Sequence, residues 1–236
     1  TITVLNIRFF QKRKSMRGGN SVMGWIFGGE MCYNPENRLM LPKKGGETKR
    51  RINRRMTMNI TVYLGSCEGN DPAMKTAVAE LGRWIGESGN RLVYGGSKTG
   101  LMGLLADSVL SAGGEVTGVE LEMFMEAGYQ HTGLTELIVK PDFPQRKAEM
   151  IRRGDVFIAF PGGTGTLEEI SEIMSLAALK LTKAPCVLYN LNGYYDHLRL
   201  QLRHMVDMGL SAPERLENIH FAASLQEIKD IAASAE

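Results

Sequence analysis

Two glycine-rich stretches carry the residue types best suited to hold an anion. They are GGSKTGLMG at 95–103 and PGGTGTLEE at 161–169. Each follows a short apolar run and opens a helical pattern. Glycine at such a junction permits a tight turn and lets backbone N–H groups approach an anion closely. In the second stretch Gly162, Gly163 and Gly165 free the backbone to form a concave nest of donors, and Thr164 and Thr166 add hydroxyls. The following helix contributes roughly half a positive charge at its N-terminus. One phosphate fits such a nest. The first stretch lacks the dinucleotide spacing, and no Lys-Ser/Thr pair follows it as in a triphosphate loop. Two glycine turns at strand ends of one sheet can converge on one ligand.

Side chains that could act on that ligand sit nearby in the sequence. Glu168 and Glu169 fall at the expected start of the helix after the second glycine loop. Thr166 and Glu169 have capping-box spacing, so Glu169 has a purely structural reading as a helix cap. Its other reading is a carboxylate in the cleft that binds ribose hydroxyls or steadies developing positive charge. Arg146, in DFPQRKAEM, is either a solvated surface residue or a fixed fork of donors aimed at the ligand. It keeps its proton near neutrality, so it would act by position and charge rather than as a general acid. His131 and Asp155 read as structural, Cys67 as a small packed thiol, and the methionines as core.

The elements that must position these groups alternate. Strands are expected at 60–65, 91–94, 115–119, 134–140, 155–160 and 185–190. Helices are expected from Pro72 to about Ser88, through LLADSVLSA to Gly113, over 144–153, from near Thr166 to Leu181, and over 194–208 and 224–233. Asp71 is a good N-cap, and Gly89 closes the first helix. Leu167, Ile170, Ile173, Met174, Ala177, Ala178 and Leu181 form a helical apolar stripe. Residues 121–133 fit neither period. Strands alternating with helices imply a doubly wound parallel sheet covered on both faces, in a single α/β domain over 56–236. Ligands of such sheets bind outside the carboxyl ends of the strands.

Charge divides the chain. Residues 1–55 hold 13 Lys/Arg against 3 Asp/Glu, and the rest holds 15 basic and 23 acidic residues. The first segment lacks a sustained period and reads as a basic extension, disordered or non-native. It has no aromatic interleaving or nucleic-acid motif, so no nucleic-acid partner is expected. No apolar run reaches membrane-spanning length, so no membrane partner is expected either. Three scattered cysteines, Cys32, Cys67 and Cys186, suit neither a metal site nor a disulfide framework and point to a reducing cytoplasm.

The motifs PGGTGTLEE, YGGSKTGLMG (94–103) and RKAEM (146–150), with GSCEGND (65–71), HTGLTEL (131–137) and NGYYDHL (192–198), resemble the Lonely Guy family. These are cytokinin riboside 5′-monophosphate phosphoribohydrolases, formerly misnamed lysine decarboxylases. Every fixed position of the family's PGG-x-GT-x-x-E hallmark is present. The resemblance implies a modified Rossmann-type fold, a homodimer, and hydrolysis of a nucleoside 5′-monophosphate to free base and ribose 5-phosphate without a cofactor or metal. It assigns the essential arginine and glutamate to Arg146 and Glu169, and phosphate binding to Gly162, Gly163, Thr164, Gly165 and Thr166. Gly95, Gly96, Gly100, Met102, Gly103 and Lys147 join the substrate site, with Ser66 and Glu168 as further candidates. The chain departs from the family at Ser97, where many members carry a third glycine. It departs again at GVELEMF (118–124), which flanks the base end of the pocket. Relatives on this fold that carry a molybdenum cofactor supply the alternative reading, a non-catalytic carrier. A pyridoxal-phosphate decarboxylase lacks a recognisable Schiff-base lysine here, and a dinucleotide oxidoreductase lacks its glycine spacing.

Overall fold

The run ITVY is β-branched and apolar without alternation, the pattern of a strand buried on both faces. In the computed structural model, which describes residues 57–235, it lies in β1 (Asn59–Tyr63) at the centre of a seven-stranded sheet. The other strands are β2 (Arg91–Tyr94), β3 (Glu115–Leu121), β4 (Glu136–Lys140), β5 (Val156–Ala159), β6 (Cys186–Tyr189) and β7 (Ile219–Ala222). Their order is β4-β3-β2-β1-β5-β6-β7, and every neighbouring pair is parallel. The chain winds outward from β1 in one direction and restarts at β5 in the other. The crevice above β1 and β5 is therefore the topological switch point.

Helices α1 (Ala73–Glu87), α2 (Gly100–Ser111) and α7 (Leu225–Ala233) pack against Ile60, Val62, Leu92, Val156 and Ile158. Their opposite numbers α4 (Phe143–Arg153), α5 (Thr164–Ala178) and α6 (Asp196–Asp207) cover Tyr63, Val93, Phe157 and Ala159. Successive strand side chains thus feed two cores, as period-two geometry requires. Helix ends follow their local chemistry. Asp71 Oδ1 accepts the amide of Ala73 (2.9 Å), and Asp142 Oδ1 accepts that of Gln145 (2.8 Å). Asp155, at the start of β5, takes the amide of Asn59 (2.8 Å), so it pairs locally.

The doubly wound α/β class stands, and several details change. Residues 121–133 contain a short α3 (Glu122–Glu126) and a loop held by an antiparallel bridge between Ser97 and Gln130. β7, in ENIHFAAS, was absent from the sequence-based elements. It is a four-residue edge strand carrying a histidine, too short and polar to stand out. Leu167 and Leu181 leave the apolar stripe, at 43% and 70% exposed. Leu181 follows Lys180, whose positive φ of 56° lies beyond the end of α5. The expected basic extension at 1–55, with Cys32, lies outside the described residues.

An ion-pair cluster anchors α4 to the edge of the sheet. Glu149 receives Arg152 Nη2 (2.5 Å) and Arg153 Nε (2.7 Å), and Arg153 also reaches Glu136 on β4 (2.8 Å). Hydrogen bonds from Arg152 and then Arg153 hold the Glu149 carboxyl down at about 2. Its stabilising effect is complete above the unfolded carboxylate range and is lost as pH falls toward 2. Glu149→Gln is therefore expected to cost roughly 1–3 kcal/mol at neutral pH, less than the full shift because Arg152 is exposed to solvent. Urea unfolding should show that difference shrinking between about pH 5 and pH 3.

Candidate active site

Three loops leave the carboxyl ends of β1, β2 and β5 and meet over the switch point. They enclose a cleft of about 820 Å³, the size of a small-molecule site. The two glycine stretches therefore sit at one end of the molecule. α5 begins at Thr164, two residues earlier than expected, with Gly163 as its cap residue. The first helical hydrogen bond runs from the Leu167 amide to the Gly163 carbonyl (3.1 Å). The amides of Thr164, Gly165 and Thr166 precede it and have no partner within the helix. Gly162 through Thr166 all line the cleft, with Gly163, Thr164 and Gly165 exposed and Thr166 buried. A Cβ on Gly163 or Gly165 would meet nothing within 4 Å, so the space above this helix end is open.

Glu169 and Glu168 fall in the second turn of α5, not the first, and Glu169 does not cap the helix. Its Oε1 instead accepts Arg146 Nη1 at 2.8 Å, and both side chains are largely buried, at 14% and 10% exposed. The capping-box reading fails because the helix begins too early for Thr166 to be its cap. Arg146 is no surface residue. It donates through Nε to the Val119 carbonyl (2.8 Å) and through Nη2 to the Gly95 carbonyl (3.3 Å). One guanidinium thus ties the ends of β3 and β2 to α5. Burial pushes the Glu169 carboxyl above the usual carboxylate range, against the opposing charge and hydrogen bond of Arg146. Beside them, Lys147 pairs with Glu168 and with Glu172 (2.9 Å). The hydrogen bonds that Lys147 donates to Glu168, then Glu172, hold its ammonium above its ordinary pKa.

Ser66, Gly95, Met102, Arg146, Lys147, Glu168 and Glu169 join the glycine nest in the wall of the cleft. Gly96, Gly100 and Gly103 are not among its lining residues. They shape the turn that carries the wall. Gly100 has a φ of +51°, and a Cβ there would overlap the Ser66 carbonyl. Gly95 is pressed between Arg146 and Met102, where a side chain would displace the guanidinium. Cys67 is exposed and lines the cleft rather than packing as a small thiol. His131 lies outside the lining, holding Asp107 through Nε2 (3.0 Å) and the Gly133 amide through Nδ1 (3.0 Å).

Two groups escaped the sequence reading. The tyrosines of NGYYDHL pin the second glycine loop. Tyr194 Oη donates to the Gly162 carbonyl (2.5 Å) and Tyr195 Oη to the Phe160 carbonyl (2.9 Å). Their motif was visible, but no spacing rule links residue 194 to a loop more than thirty positions upstream. The second is the lining around the end of β3, Glu120 with Phe124, Tyr129 and Phe143: the stretch GVELEMF was placed beside the base end, but no single residue of this wall was picked out. An acidic residue inside the apolar strand VTGVEL was the available signal.

The model of a family described as "Possible lysine decarboxylase" matches residues 102–231. A cytokinin riboside 5′-monophosphate phosphoribohydrolase of Rhodococcoides fascians is 44% identical over 158 residues, covering 66% of this chain and 79% of that protein. One from Arabidopsis thaliana is 38% identical over 182 residues, covering 77% and 82%. The chain belongs to the Lonely Guy family. The molybdenum cofactor binding protein of Rippkaea orientalis shares the family's fold, with a TM-score of 0.56 at 20% identity over 76% of this chain and 97% of that one. The Moco carrier protein of Chlamydomonas reinhardtii gives 0.55 at 21% identity over 76% and 99%. At those identities the likeness is one of fold alone.

The glycines separate architecture from function. Gly100→Ala is expected to cost roughly 2 kcal/mol or more, from its left-handed backbone and the overlap with Ser66. Gly163→Ala has open space and should cost no more than about 1 kcal/mol, the loss of a glycine helix cap. Urea midpoints of the two variants check the contrast.

Proposed function

We propose that this protein hydrolyses the N-glycosidic bond of nucleoside 5′-monophosphates, cytokinin riboside 5′-monophosphates and AMP among them, to free base and ribose 5-phosphate. The observation that carries the reading is the buried Arg146–Glu169 pair, set in one cleft with an open helix N-terminus. The relatives' names support it: those of Rhodococcoides fascians and Arabidopsis thaliana are cytokinin riboside 5′-monophosphate phosphoribohydrolases.

The amides of Thr164, Gly165 and Thr166 and the α5 dipole hold the 5′-phosphate. Glu169 receives the sugar. One of its oxygens is engaged by Arg146, and the other takes no hydrogen-bond partner among the described residues. That oxygen binds the ribose hydroxyls or orients the water that attacks C1′. As the C1′–N bond breaks, its electron pair leaves with the base, and the sugar gains oxocarbenium character. A carboxylate in a dry site stabilises that charge far more than it would in water. Arg146 holds Glu169 in place and faces the charge on the phosphate or the departing base. Water adds to C1′ and loses a proton, and the base takes one up.

A decarboxylase working through a lysine Schiff base is disfavoured by Lys147. Its ammonium is locked by Glu168 and Glu172 with a raised pKa, whereas a nucleophilic lysine needs a lowered one. A homodimer belongs to the same reading. Leu181, Met208 and Leu210, at 70%, 62% and 79% exposed, support apolar association of two copies. Among the described residues no helix is long and apolar enough to cross a membrane. The free thiols of Cys67 and Cys186 support a cytoplasmic location.

Glu169→Gln is expected to lower kcat on AMP by about 100-fold or more while KM changes little. A variant within a few-fold of the parent would overturn its role. Adenosine should be a far poorer substrate than AMP, because it forgoes the phosphate anchor. Equal kcat/KM for the two would remove the anchor from the mechanism. Glu169 must be ionised to act, and burial raises its pKa. The acid limb of kcat/KM should therefore lie above the ordinary glutamate range, with activity lost as pH falls through it. The residual activity of Glu169→Gln should lack that limb.

A further inference from the structure

β3 ends in the sequence GVEL, where three residues are apolar or small and one is acidic. Glu120 is only 2% exposed, yet it lines the cleft. Its Oε1 accepts the amide of Leu121 at 3.0 Å. Among the described residues Oε2 has no hydrogen-bond partner. It is not one of the fully enclosed unsatisfied atoms, and the residue that carries it is part of the cleft wall. Gly96 leaves it room, since a Cβ there would sit 3.5 Å from Oε2. A buried carboxylate with one idle oxygen is costly unless a ligand completes its bonding. Burial holds the Glu120 carboxyl above the usual range, against the Leu121 hydrogen bond and the Arg146 charge.

Position in the sheet says which part of a ligand reaches Glu120. The glycine nest follows β5, and β3 is three strands away in the order β3-β2-β1-β5. Three strand spacings make about 14 Å, on the order of the distance from a 5′-phosphate to the far edge of a purine. The same end of the cleft is walled by Phe124, Tyr129 and Phe143, with Phe124 set edge-on to the other two at 6.3 and 6.4 Å. An aromatic chamber with one carboxylate oxygen suits a flat heterocycle that offers an N–H. It opposes one that presents a carbonyl there, because two acceptors would then face each other.

We propose that Glu120 is a specificity-determining residue whose Oε2 accepts a hydrogen bond from the exocyclic amino group of the base, selecting 6-aminopurine over 6-oxopurine nucleotides. This rests on the hydrolase reading above. Leu121 makes the consequence directional. In Glu120→Gln the Leu121 amide keeps the side-chain carbonyl oxygen, so the NH₂ takes the place of Oε2 and becomes a donor.

The test is kcat/KM of the full chain on AMP, on IMP and on purine riboside 5′-monophosphate, which lacks any 6-substituent. The unaltered protein should prefer AMP over each of the others by about tenfold or more. Glu120→Gln should lower the AMP:IMP ratio at least about tenfold, toward or past parity. Glu120→Leu should erase the preference without inverting it. A ratio unchanged within twofold in Glu120→Gln overturns the assignment. So does an unaltered protein that uses all three nucleotides equally, a result that needs no variant to fold and leaves the hydrolase reading intact. Failure to hydrolyse any nucleotide removes both.

Discussion

A guanidinium buried between three elements organises this molecule's working end. Arg146 reaches a carbonyl within β3, the carbonyl just after β2 and a carboxylate on α5, so its donors are spent on architecture as much as on charge. Burying a cation is costly unless each donor finds an acceptor. Here the acceptors are fixed in advance by the sheet, because β2 and β3 are parallel neighbours, with Val119 inside β3 and Gly95 directly after β2. Lysine could not replace it, since an ammonium lacks the planar fork that spans three separated partners. The close approach of Gly95 to Nη2 follows from the same constraint.

That arginine also makes a buried glutamate tolerable. Burial raises the Glu169 pKa, and the Arg146 charge and hydrogen bond oppose that rise by giving its carboxylate a partner. The arrangement holds a carboxylate in a low-dielectric pocket, where it is most effective against developing positive charge. About a turn earlier on the same helix, the α5 N-terminus offers amide donors that have no partner within the helix. Positive and negative features are thus separated along the cleft, which suits a ligand with an anionic end and a sugar that becomes cationic during reaction.

The loop after β6 supplies rigidity from outside. Tyr194 and Tyr195 hold the carbonyls of Gly162 and Phe160, and Asn192 Nδ2 donates to Asp71 (2.8 Å) in the loop after β1. Glycine frees a backbone to form a nest, and the same freedom would let it collapse. The tyrosines remove it by occupying the carbonyls on one side, leaving the amides for the other. A cradle built from the most permissive residue is therefore held by some of the stiffest.

Local chemistry was enough to reveal the alternating elements, the parallel sheet and both glycine turns. Buried strands such as VFIA, caps such as Asp71, and a glycine closing α1 act over a few residues, and their signatures lie side by side in the chain. What Arg146 and Glu169 touch could not be read that way. Each had a plausible local role, on the surface or as a helix cap. The choice was made by crossovers that bring α4, β2, β3 and α5 together from positions up to 51 residues apart. Glu120 shows the same limit. An acidic residue in an apolar strand is visible as an oddity, but which way it faces and how far it stands from the glycine nest are properties of the sheet order. Strand order is set by how the helices bury both faces at once, a balance over the whole domain that no window of sequence contains.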